Sequence, residues 1–123
     1  MEIIFWIGRI ILGGYFIYNG YQHFLDRENL TTYAKSKNVP VPKIAVIVTG
    51  LILVLGGVSI LTGFFVFIGL WALVLFLVAV SLMMHTFWKV PKGTAIRQGE
   101  EINFFKNIAL AGSLMMIIAM IMY

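Results

Sequence analysis

Four long runs almost free of charge dominate this chain, and no soluble fold has room for them. Ile44 to Leu61 and Phe64 to Met84 contain no Asp, Glu, Lys or Arg, Phe104 to Tyr123 contains only Lys106, and Ile3 to Leu25 contains only Arg9. A helix needs roughly 20 mainly apolar residues to cross the hydrocarbon of a bilayer. The runs therefore predict four spans, over residues 3–25, 44–62, 64–86 and 103–122. The fold class that follows is all-α: an integral membrane four-helix bundle, 1–123 as one domain, with short interfacial segments in its long loops. Charged residues make up 11% of the 123, against about 25% in soluble domains, so lipid is the expected solvent.

The first run reads as a span and not as a cleaved leader. Glu2 stands where a leader would have a basic start, and no small-residue cleavage pattern follows. Cysteine is absent, which excludes thiol–disulfide chemistry by this chain and any cysteine-ligated cluster.

The net charge of +4 is an orientation signal, not a nucleic-acid patch. Arg27, Lys35, Lys37 and Lys43 lie between the first two spans, and Lys89, Lys92, Arg97 and Lys106 lie between or beside the last two. The other side has only the tight "LTGFF" turn between spans two and three. The positive-inside rule then places both long loops in the cytoplasm and both termini outside, in the cell membrane.

Within the first loop, Leu30, Tyr33, Ala34 and Lys37 fall at helical spacing, which predicts a short interfacial helix. Val39 to Pro42 should be extended, with Pro42 opening span two as a first-turn proline. In the second loop, Glu100 and Glu101 suit the N-terminus of a helix, where the macrodipole favours negative charge.

Helical spacing also assigns faces. Arg9, Gly13, Phe16, Gly20 and His23 share one stripe of span one. Small residues let helices approach closely in lipid, and each other span has candidates: Gly50, Gly56, Gly57, Ser59 and Gly63; Gly69, Ala72 and Ala79; Ala111 and Gly112. Arg9 lies about 9 Å into its span at roughly 1.5 Å per residue, within snorkelling reach of the outer interface. Glu2 and the C-terminal carboxylate of Tyr123 are its anionic neighbours on that side.

Topology brings three groups of polar residues to one depth. Span one ends in Asn19, Gln22 and His23; span three ends in Ser81 and His85. Span four begins with Glu100, Asn103 and Asn107 on one stripe, Glu101 and Lys106 close by. The candidate ligand-binding residues are His23, His85, Asn107, Glu101 and Asn103, with Arg9 apart from them. No His-x3-His spacing points to a metal. Histidine moves protons near neutral pH, so a headgroup or quinone pocket is the functional reading. The structural reading is that these groups bond to one another and to interfacial water, closing the bundle's end.

In the order of its motifs the chain resembles the DoxX family of small four-span membrane proteins. The resemblance runs through "GRIILGGYFIYNGYQHF", "VPVPK", "LILVLGGVSILTG", "HTFW" and "QGEEINFFKNIALAGSLMM". It implies a four-helix bundle and a role in membrane redox complexes, in some relatives linked to quinone reduction or to oxidative-stress enzymes. Thr49 departs from the pattern, because relatives often carry an acidic residue before the glycine that is Gly50 here.

Two readings stand. One is an accessory component of a quinone-linked membrane redox system, binding a quinone-like or lipid ligand. The other is a non-catalytic membrane subunit or scaffold. The partners to test are membrane lipids, a membrane or soluble oxidoreductase and a second copy of the chain; nucleic acid is not among them.

Overall fold

Helices that cannot bury all their apolar surface against each other leave the remainder for lipid, and that imbalance shapes this molecule. The computed structural model describes residues 2–122. It contains α1 (Glu2–Leu25), α2 (Arg27–Ser36), α3 (Pro42–Thr62), α4 (Val66–Met84) and α5 (Ala95–Met122), with a 3-10 turn at Phe87–Lys89 before α5. No strand occurs among the described residues. The four long helices are apolar enough to span a membrane, and at most 33% of any span's most apolar window is buried inside the protein. Ile4, Ile11, Leu55, Ile68, Leu75 and Met116 are among the exposed side chains of the outer girdle. Such a surface implies lipid contact. The protein is a multi-pass membrane protein.

The stripe expected on span one is the buried face of α1: Gly13, Phe16 and Gly20. It packs antiparallel on α3 with backbones in contact. A Cβ on Gly13 would stand 3.0 Å from the Gly57 carbonyl oxygen, and one on Gly20 would stand 2.8 Å from that of Gly50. Each pair is seven residues from the next on its helix, so the close contact recurs every two turns. Gly56 receives Leu73 of α4, and Gly69 of α4 receives Ser59 of α3. The core then closes on Phe16, Leu53, Leu70, Leu73, Leu77 and Leu114. On α5 only half of the expected small-residue face points inward. Ala111 is buried, but Gly112 has open space where a Cβ would stand; Ala79 of α4 is likewise exposed.

The helix ends follow local chemistry. Pro42 opens α3 at its first position, but the residue before it is not extended: Val41 has φ 45°, ψ 60°. A β-branched residue in the left-handed region is an outlier, and Asn38, with φ 61°, turns the chain just before it. Gly63, at φ 81°, ends α3 with its N–H on the Ser59 carbonyl, a conformation that suits glycine. The fourth span's helix starts earlier than its apolar run. Thr94 Oγ1 accepts the Arg97 N–H at 3.2 Å and its carbonyl accepts the Gln98 N–H, so Thr94 is the N-cap. Glu100 and Glu101 therefore lie in the second turn, not at the helix start. At roughly 1.5 Å per residue, 28 residues reach about 42 Å, so the first turns of α5 extend beyond a hydrocarbon layer of about 30 Å.

Neighbours along the bundle run α1, α3, α4, α5. α1 and α5 share no comparable backbone packing, and α2 lies against α3 and the end of α1. That arrangement leaves a seam between α1 and α5.

Candidate functional site

The seam opens into a cavity of about 180 Å³ at the end of the bundle that carries the long loops. Its floor is apolar, with Phe16, Leu53 and Leu77 fully buried. Its polar lining comes from three helices: Asn19 and His23 of α1, His85 just past α4, and Lys106 and Asn107 of α5. Leu30 and Tyr33 of α2 line it at the loop end.

Each polar group can be followed. Asn19 Nδ2 donates to the Tyr15 carbonyl at 2.8 Å, and the Asn19 carbonyl faces His23 Nδ1 at 2.9 Å. A carbonyl only accepts, so His23 carries its proton on Nδ1 and leaves Nε2 with a lone pair. The His23 ring meets Phe76 edge to face at 6.2 Å between centroids. Asn107 is only 8% exposed as a residue; its amide has no protein hydrogen-bond partner among the described residues and keeps some accessible surface. Ser81, fully buried, is satisfied by its own helix through the Leu77 carbonyl.

Behind the cavity lies a network centred on Glu100, which is 7% exposed. Tyr33 donates to Glu100 Oε1 at 2.6 Å, and His85 Nδ1 contacts the same oxygen at 3.2 Å. Lys37 Nζ stands 2.7 Å from Oε2. Among the described residues no aligned hydrogen bond reaches Oε2, and its partner there is the Lys37 charge. Against an ionised carboxylate His85 donates from Nδ1, which again leaves Nε2 as an acceptor. Burial, with the Glu100 carboxylate beside it, pushes the Tyr33 phenol well above its ordinary range, so it stays a donor. Tyr33 also reaches the Met84 carbonyl at 3.3 Å. One carboxylate thus ties α2 to the end of α4 and to α5.

The expected residues divide. His23, His85 and Asn107 line one cavity. Asn103 is half-buried outside its lining, and Glu101 is exposed, facing a surface depression beside Lys92 and Arg97. A shift of one residue along a helix turns a side chain by about 100°, which is why Glu100 enters and Glu101 does not. Arg9 lies at the opposite end: Nε donates to the Ile60 carbonyl, and the guanidinium sits 5.4 Å and 5.0 Å from the Phe5 and Trp6 ring centroids. Its expected neighbour Tyr123 falls outside the described residues.

Glu100, Tyr33 and Lys37 were not among the expected site residues. Tyr33 and Lys37 are four apart, so they share a face of α2; Glu100 shares its stripe with Asn107. Those spacings were the available signal. Thr49 bonds its own helix, at the Ala45 carbonyl, 2.7 Å away. Trp88 packs edge-on to Phe104 at 5.6 Å, within an aromatic group that includes Phe87.

Among the described residues no group of three or more His, Asp or Glu is placed to hold a metal ion. No curated protein and no solved structure matches the chain. One family model, described as DoxX, matches residues 4–86, a stretch that contains His23 and His85 but stops short of Glu100 and Asn107.

Proposed function

The chain belongs to the DoxX family, and from that premise we propose that it binds the polar head of a lipid-soluble, quinone-like ligand in the cavity between α1 and α5. It would do so as an accessory component of a membrane redox system. The observation that carries this reading is Asn107: a residue 8% exposed, whose amide has no protein hydrogen-bond partner among the described residues and stays accessible on a cavity that it shares with His23.

Size supports a head rather than a whole molecule. Sites that engulf a small molecule measure about 300–1,000 Å³, and this cavity is about 180 Å³. The chemistry fits both states of a quinone. The Asn107 amide and the Lys106 ammonium donate to a carbonyl oxygen of the oxidised head. The Nε2 lone pairs of His23 and His85 accept from the hydroxyls of the reduced one. Reduction of a quinone to a quinol takes up two electrons and two protons. The histidines are placed to hold protons; the electrons are assigned to a partner oxidoreductase, since the chain has no cysteine for thiol–disulfide exchange. By the charge asymmetry of the loops, the cavity end is assigned to the cytoplasmic side of the cell membrane.

The test is titration of the protein in nanodiscs with decylubiquinone, followed by fluorescence quenching. Saturable binding should weaken at least tenfold in His23→Ala and in Asn107→Leu, with melting temperatures close to that of the parent. No saturable binding, or equal affinity in all three proteins, would sink the ligand. The scaffold reading rests on a different observation, that Glu100 is held by protein groups, Tyr33, Lys37 and His85. It predicts no ligand binding at all.

A further inference from the structure

The cavity lining has a single exposed member, Lys106; every other lining residue is buried or half-buried. We infer that Lys106 marks a lateral mouth, through which an amphiphile's head enters from the bilayer while its tail stays in the lipid along the α1–α5 seam. The inference builds on the ligand reading above and adds the route and the class of molecule that can take it.

Three observations fix the mouth on the flank of α5. First, α2 lies across the loop end. Leu30 and Tyr33 line the cavity there, and α2 is held down by the Tyr33 and Lys37 contacts to Glu100. Second, α1–α3, α3–α4 and α4–α5 pack backbone to backbone, whereas α1 and α5, which both line the cavity, share no comparable packing. A side entrance there needs only side-chain movement. Third, Lys106 lies sixteen residues before the end of α5 at Met122, about 24 Å at roughly 1.5 Å per residue. A hydrocarbon layer of about 30 Å measured from that end reaches past Lys106. The mouth therefore opens about 6 Å inside the edge of the hydrocarbon, within the reach of a snorkelling lysine.

A lysine at that depth is costly unless its ammonium meets water or a polar group, and its stem is long enough to snorkel. No carboxylate lies within 4.0 Å of Lys106 among the described residues, whereas Lys37 has Glu100. The cavity thus offers a cation at its entrance and an apolar floor beyond it. That combination selects heads with an electron-rich oxygen, carried on an apolar tail.

The chain's lack of cysteine makes the route directly testable. Lys106→Cys labelled with bimane, in nanodiscs, should be quenched at least twice as strongly by brominated acyl chains as by aqueous iodide. Greater quenching by iodide would overturn the lateral mouth whether or not any ligand is known. With decylubiquinone as probe, Lys106→Trp should slow association at least tenfold, and Lys37→Ala, which loosens α2, should leave the rate within twofold. An unchanged rate in Lys106→Trp, or a marked acceleration in Lys37→Ala, would place the entrance under α2 instead. If the parent protein binds no decylubiquinone, the quinone reading fails while the bimane result still decides the route.

Discussion

Tyr33 of α2 and Glu100 of α5 are joined by a 2.6 Å hydrogen bond across sixty-seven residues of sequence, and the same carboxylate holds Lys37 of α2 at 2.7 Å. The short loop helix is therefore part of the bundle, docked through one acidic side chain. Glu100→Ala should release it. Removing one member of a largely buried ion pair costs about 3–5 kcal/mol, and partial exposure of Lys37 brings the expected loss toward the lower end. Lys37→Met, which leaves the largely buried carboxylate without its counter-charge, should cost a comparable amount. Hydrogen exchange on residues 27–36 checks this: protection should fall in Glu100→Ala while the amides of α3 keep theirs.

Gly20→Leu should destabilise the protein far more than Ile11→Leu. A Cβ at position 20 would stand 2.5 Å from Val54 Cγ2 and 2.8 Å from the Gly50 carbonyl oxygen, so the added atoms meet backbone. Overpacking costs about 1–3 kcal/mol, and rigid backbone on the far side puts this case at the top of that range. Gly112→Leu is the internal control, because nothing lies within 4 Å there. Thermal denaturation in one detergent should rank Gly20→Leu lowest, with Gly112→Leu and Ile11→Leu near the parent.

Thr94→Ala should cost about 1 kcal/mol, the usual worth of an N-cap hydroxyl. Thr94→Ser should restore it, because Oγ is all the Arg97 N–H requires. If Thr94→Ser melts with Thr94→Ala instead, the cap is not what starts α5.

Reporter fusions should place the end of the chain outside the cytoplasm and a loop insertion near Lys35 inside it. The basis is the concentration of basic residues in the two long loops. A cytoplasmic signal from a fusion after residue 123 would invert the orientation and put the cavity on the outer face.

The sequence by itself determined the spans, the α1 stripe and the end of the bundle at which polar residues gather. Those features follow from period and length: about 20 apolar residues cross a bilayer, and Gly13, Phe16 and Gly20 share a face wherever α1 is placed. Hydropathy could not mark where α5 begins, since its first turns are polar and begin at a threonine cap. Nor could it separate Gly112 from Ala111, because both suit a close-packed face and only the direction of α4 decides which one meets it. Tertiary structure alone decided that Glu100 and not Glu101 is the hub, because one residue turns a helix by about 100°. It also decided that Tyr33 and Lys37 belong beside His85, although some fifty residues separate them in sequence. The cavity is the clearest case. It lies where α1 and α5 lack the backbone packing that joins α1 to α3, α3 to α4 and α4 to α5, and no single residue encodes that.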